Sequence, residues 1–133
     1  MSRSYVLDAG FIALYFAGRE DTRKYVDEIY KGISKAYICE VNLAEFLYNY
    51  SRVFGWEAAL VKNKLLRNSP IEIVGVGEDL TLSAAKIKLK NYEKLSLADC
   101  YLAALAEKLK ATILTTDPTL RNVEKIKVKY FKI

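Results

Sequence analysis

The chain has 133 residues, 52% of them hydrophobic and 28% charged, which is enough for one buried core and too few for two. Lys and Arg number 21 against 16 Asp and Glu, a net charge of +5 that favours an anionic partner, nucleic acid first. This composition excludes wholesale disorder, and the complete lack of histidine excludes an imidazole general base, a Ser-His-Asp triad and His-ligated zinc.

Ser4 to Leu7 reads as a short buried strand, followed by an apolar helical turn or two through Phe11, Leu14 and Tyr15 that stops at Gly18. Thr22 to Ile33 carries apolar residues at helical spacing, and Ala36 to Cys39 is a second small strand. Asn42 to Phe54 and Trp56 to Leu66 read as two helices broken at Gly55, and Ile71 to Val76 alternates as a strand behind Pro70. Leu80 to Tyr92 and Leu97 to Leu109 are two further helices. Ala111 to Thr115 and Ile126 to Phe131 close the chain as strands. Alternation of strands and helices predicts a three-layer α/β domain spanning residues 1–133, with a mostly parallel sheet whose ligands sit at the carboxyl ends of the strands.

No membrane partner is expected, because the uncharged apolar run Ala9 to Ala17 is half of the ~18 residues a span requires. Asp8 would interrupt the apolar stretch of a secretory signal, so the N-terminus is expected to belong to the fold. Cys39 and Cys100 sit in apolar segments and form no disulfide framework, which points to reduced, buried thiols and a cytoplasmic location.

At this charge density a window of a dozen residues holds about three charges, yet four acids stand alone. Asp8 is the only charge from Ser4 to Gly18, Glu45 the only one from Val41 to Ser51, Asp99 from Leu95 to Ala106 and Asp117 from Ala111 to Leu120. Each has an ordinary alternative role. Asn42-Leu43-Ala44-Glu45 and Ser96-Leu97-Ala98-Asp99 have the cap-x-x-acid form of a helix start, Asp117-Pro118 is a turn or cap signal, and Asp8 could cap the helix after its strand. Taken together they are harder to explain by capping, since an isolated carboxylate in apolar surroundings costs several kcal/mol unless it is paired, neutralised or bound to a cation. A shared divalent cation answers for all four, and an oxygen-only ligand set is the kind Mg²⁺ and Mn²⁺ accept.

These segments resemble the PIN-domain ribonucleases, and in length and layout the chain resembles a VapC-type toxin of a toxin–antitoxin pair. The resemblance is carried by Tyr5-Val6-Leu7-Asp8, Asn42-Leu43-Ala44-Glu45-Phe46, Leu95-Ser96-Leu97-Ala98-Asp99 and Leu114-Thr115-Thr116-Asp117. It implies a sheet of about five strands and Mg²⁺- or Mn²⁺-dependent cleavage of RNA, with Asp8, Glu45, Asp99 and Asp117 catalytic. Asp8, Asp99 and Asp117 are the expected metal ligands, with Glu45 completing the shell or orienting the attacking water. It also implies a homodimer and a cognate antitoxin whose tail covers the acidic pocket. One departure is Gly10, where the family usually has Ser or Thr two residues after the first Asp, and Thr115 or a water is expected to compensate. The alternative function is a catalytically weakened PIN-like RNA-binding or scaffold module. A phosphatase with Asp-x-Asp at its first strand is excluded by Asp8-Ala9-Gly10.

Basic residues cluster at Lys62, Lys64 and Arg67, at Lys86, Lys88, Lys90 and Lys94, and at Lys125, Lys127, Lys129 and Lys132. Lys86, Lys90 and Arg121 are the named RNA-contact candidates, against the plainer reading of solvated helix faces and a guarded edge strand. The series Phe46, Tyr48, Tyr50, Phe54 and Trp56 reads as core packing with a surplus that could dock a partner.

Overall fold

The computed structural model describes residues 3–91 and 93–133. Its five strands are β1 (Arg3–Leu7), β2 (Ser34–Cys39), β3 (Glu72–Val74), β4 (Thr112–Thr115) and β5 (Val128–Tyr130). Every pairing is parallel, in the order β3-β2-β1-β4-β5. The helices are α1 (Ala9–Phe16), α2 (Glu20–Tyr30), α3 (Glu40–Phe54), α4 (Trp56–Arg67), α5 (Glu78–Lys90) and α6 (Leu97–Leu109), with a 3-10 helix at Pro118–Asn122.

A parallel sheet is covered on both faces, so its central strands are apolar at consecutive rather than alternate positions. Tyr5, Val6 and Leu7 are accordingly all buried. Because successive side chains point to opposite faces, Tyr5 and Leu7 join one core cluster and Val6 the other. The first cluster includes Phe11 and Ile12 of α1, Val26 and Ile29 of α2, Leu43 and Phe46 of α3 and Leu66 of α4. The second includes Leu80 and Ala84 of α5 and Leu102 and Leu105 of α6. This is the expected three-layer α/β architecture.

Several boundaries differ from the periodicity. α3 follows β2 with no loop and starts at Glu40, so Asn42 lies inside the helix rather than capping it. α2 starts two residues earlier than expected and ends at Tyr30, where Lys31 and Gly32, the latter at φ 75°, turn the chain before an exposed Ile33. β3 and β5 are each trimmed to three residues, the length over which they find a partner strand. The fifth helix is described to Lys90, and its expected end, Tyr92, lies outside the described residues. The break at Gly55 is present, with φ 94°, a conformation that L side chains rarely adopt. Cys39 and Cys100 are both free and buried. No helix of the described residues is long and apolar enough to cross a membrane.

From central β1 the chain first builds β2 and β3 to one side, then crosses to β4 and β5 on the other. The gap between β1 and β4 is therefore the topological switch point, beyond whose carboxyl ends the ligands of open α/β sheets bind. Asp8 leaves β1 there, and Asp117 follows β4 by two residues.

Candidate active site

Asp8 is held in place by bonds to both oxygens of its carboxylate. Oδ1 accepts the Phe11 amide at 2.7 Å, capping α1, while Oδ2 accepts the Thr115 hydroxyl and the Thr116 amide, the latter at 3.3 Å. The capping reading and the site reading thus describe the same carboxylate. It is buried, and burial pushes its pKa above the usual carboxylate range. The hydrogen bonds from Thr115, Phe11 and Thr116 work against that rise, and the nearby Asp117 charge adds to it.

Thr115 joins two of the acids. Its fully buried Oγ1 donates to Asp8 and accepts the Asp117 amide at 2.9 Å. Asp117 Oδ1 in turn accepts the Thr119 amide at 2.9 Å and the Thr119 hydroxyl at 2.7 Å, capping the 3-10 helix. Burial pushes the Asp117 carboxyl up, but hydrogen bonds from Asp99 and Thr119 outweigh it and hold it below the usual range.

Asp99 is the third residue of α6, whose N-cap Ser96 accepts the Asp99 amide at 3.1 Å. The cap-x-x-acid pattern therefore does start this helix, while the Asp99 side chain faces Asp117 instead of its own backbone. Burial, then the hydrogen bond shared with Asp117 and that residue's charge, push Asp99 up to about 7. A raised pKa on one member of a carboxyl pair is the expected outcome when the two are forced together. Residues behind Asp99 pin the helix, since Cys100 and the run Leu102 to Ala106 are all buried.

Glu45 lies on α3, five residues past the helix start, too far along for the capping role its local sequence suggested. It is half-buried, and its pKa is raised by burial and then by the charges of Asp8 and Asp117. Asn42, one turn earlier, donates from Nδ2 to the Ala98 carbonyl at 3.1 Å, tying α3 to the residue before Asp99. Asn42 is fully buried, and its Oδ1 finds no hydrogen-bond partner among the described residues. Its positioning role was not foreseen, because Asn42 reads locally as a cap.

The four acids interact across one crevice: Asp8 with Asp117, Glu45 with Asp8, Asp99 and Asp117, and Asp99 with Asp117. The ion pairs among the described residues join Arg19 to Asp21, Arg23 to Glu20 and Arg67 to Glu40, so no Lys or Arg neutralises any of the four. Such a set of oxygen acceptors without a countercharge fits a hard divalent cation. Among the described residues, however, no three acids form a closed ligating group.

The basic candidates lie elsewhere. Arg121 stacks its guanidinium 4.6 Å from the centre of the Tyr130 ring and donates to the Pro118 carbonyl at 3.4 Å. Lys86 and Lys90 are exposed on α5 and line a groove with Asn122 and Lys125 that includes none of the four acids. Of the aromatic series, Phe46 is buried, whereas Tyr48, Phe54 and Trp56 are exposed.

The PIN domain family model matches residues 5–126. A comparison with curated proteins finds no match. Among solved structures, the chain is similar to VapBC2 from Rickettsia felis bound to a promoter DNA fragment, with a TM-score of 0.80 and 16% identity, covering 97% of this chain and 99% of that one. DNA-bound VapBC from Salmonella typhimurium is similar at a TM-score of 0.78 and 15% identity, covering 98% of each chain. Mycobacterium tuberculosis VapC20, a sarcin-ricin loop cleaving toxin, is similar at a TM-score of 0.66 and 14% identity over 82% of this chain and 86% of that one. With the family model matching nearly the whole length, and a parallel sheet that gathers lone acids at its switch point, this chain belongs to the PIN domain family.

Proposed function

We propose that the protein is a Mg²⁺- or Mn²⁺-dependent endoribonuclease, the toxin of a type II toxin–antitoxin pair. The observation that carries this reading is the convergence of Asp8, Glu45, Asp99 and Asp117 beyond the ends of β1 and β4, with Thr115 joining Asp8 to Asp117 and no ion pair to any of the four among the described residues. Carboxylates gathered without a countercharge repel one another, and a bound cation relieves that repulsion. Asp8, Asp99 and Asp117 would hold it, and Glu45 would complete the set or orient the attacking water. When bound, a divalent cation acidifies water and relieves the charge that grows on the phosphoryl oxygens.

The chain's own residues supply the rest. Thr115 and the Phe11 amide fix both oxygens of Asp8 in one orientation, so that carboxylate is preorganised before any ligand arrives. Asn42 sets the separation of Glu45 from Asp99 by bonding the two helices together. Asp99 and Asp117, which face each other, would both have to be ionised to hold the cation. The likeness to VapC20 and to the VapBC complexes supports RNA as substrate and an antitoxin as partner. An apolar groove of about 280 Å³, lined by Ala9, Gly10, Phe16, Phe46 and Tyr50, begins beside Asp8 and suits an antitoxin segment that would cover the acids. The exposed Trp56, Leu60 and Val61 of α4 suit a second copy of the chain.

The test incubates the protein and its Asp8→Asn variant with structured and unstructured RNAs in Mn²⁺, Mg²⁺ or EDTA. Cleavage by the unaltered protein in either metal, absent in EDTA and in Asp8→Asn, is the expected result. RNA binding with no cleavage in any metal would replace this reading with the inactive binding module.

A further inference from the structure

Gly10 and Thr116 occupy the same space. A Cβ built on Gly10 would lie 1.9 Å from Thr116 Oγ1, 3.0 Å from its Cβ and 3.1 Å from its Cγ2. Turning the threonine side chain would move the hydroxyl from where it stands and would still leave its Cβ in tight contact at 3.0 Å. While the Thr116 hydroxyl keeps this position, a side chain at position 10 overlaps it. The backbone of Gly10 is helical, in the first turn of α1, so the requirement is one of room rather than of backbone conformation.

The other hydroxyls around the acids are engaged. Thr115 donates to Asp8, Thr119 donates to Asp117, and Ser96 bonds Asp99. Thr116 contributes its amide to Asp8, but its hydroxyl makes no hydrogen bond among the described residues, and the residue is half-buried rather than sealed. The crevice is otherwise built of carboxylates, which ionised can only accept hydrogen bonds and repel an anion. A phosphodiester entering it needs a neutral donor, and Arg121 is turned away to Tyr130 and Pro118.

We propose that the Thr116 hydroxyl donates a hydrogen bond to a phosphate oxygen of the bound RNA, and that residue 10 is glycine because the threonine has taken the room of its side chain. The hydroxyl expected two residues after Asp8 is thus delivered from the carboxyl end of the neighbouring strand β4. Thr115, the anticipated substitute, is committed to Asp8 and Asp117. This inference rests on the ribonuclease reading.

The test compares Thr116→Val, of the same shape without the hydroxyl, with Thr116→Ser, which keeps it. Binding of a short RNA is measured in EDTA, and KM and kcat in Mn²⁺. Thr116→Val is expected to bind RNA about three- to tenfold more weakly, the loss of one hydrogen bond, with KM raised by a similar factor and an unchanged melting temperature. Thr116→Ser retains the affinity. Gly10→Ser alone lowers the melting temperature, and Gly10→Ser/Thr116→Gly recovers it together with the RNA affinity. Unaltered affinity and KM in Thr116→Val, with the unaltered protein active, overturn the proposal alone, as does a Gly10→Ser variant that melts normally. An unaltered protein that neither binds nor cleaves RNA overturns the ribonuclease reading and this inference with it.

Discussion

Asp99→Asn separates a carboxylate that serves the fold from one that serves a ligand. Asp99 can donate to Asp117 only while it is protonated, whereas an asparagine amide at position 99 can donate at any pH. The rise of Asp99 from 3.8 to about 7 puts a ceiling of about 4 kcal/mol on what ionising this group costs the folded state. The opposite displacement of Asp117 and partial solvation reduce that to about 1–2 kcal/mol, or about 4–8 °C in melting temperature for a chain this size. The folded protein holds a proton that the unfolded chain has already lost between pH 3.8 and about 7, so this group's contribution to stability falls as pH rises through that window and then levels. Asp8 and Glu45, also raised, act with the same sign. Thermal melts in EDTA should therefore show the unaltered protein losing stability from pH 5 to pH 8. Asp99→Asn should lose less and should melt higher at pH 8, while RNA cleavage disappears. An Asp99→Asn protein that melts several degrees lower at pH 8 would refute the reasoning, because the carboxylate would then be stabilising the helix start.

Three further outcomes follow from the same geometry. Thr115→Val removes the donor to Asp8 and the acceptor of the Asp117 amide inside a fully buried site, so it should destabilise by about 1–3 kcal/mol and lower cleavage, read by thermal melting and by RNA turnover. Mn²⁺ affinity, followed by calorimetry, should rise steeply between pH 6 and pH 8 as Asp99 gives up its proton near 7, and should lose that pH dependence in Asp99→Asn. Gly55→Ala forces a side chain into a φ of 94° and should cost about 1 kcal/mol or more in a melt, with no change in Mn²⁺ affinity.

The parts of the fold legible without coordinates were those with a strong local signal. β1 and β4 are runs of β-branched and apolar residues, α6 has its Ser96 cap, and the break between α3 and α4 is marked by Gly55. The elements misjudged by a few residues are those whose ends depend on a neighbour. β3 and β5 stop where their partner strands stop, and α3 starts early because β2 runs straight into it. The misplaced start of α3 also hid Asn42, whose value lies in a bond to Ala98, 56 positions away.

From the order of its residues alone, the chain already determined which carboxylates would be stranded without a countercharge, since charge spacing and apolar neighbours are local properties. It also determined that strands and helices would alternate, and so that ligands belong at the strand ends. Which oxygen of Asp8 caps α1 and which meets Thr115, that Asp99 faces Asp117, and that the Thr116 hydroxyl fills the space of a side chain at position 10 were decided only by the folded chain. Those outcomes depend on distances of a few ångströms between residues up to 108 positions apart. They are set when β1 and β4 pair in register and α6 packs behind them, and no local pattern encodes that approach.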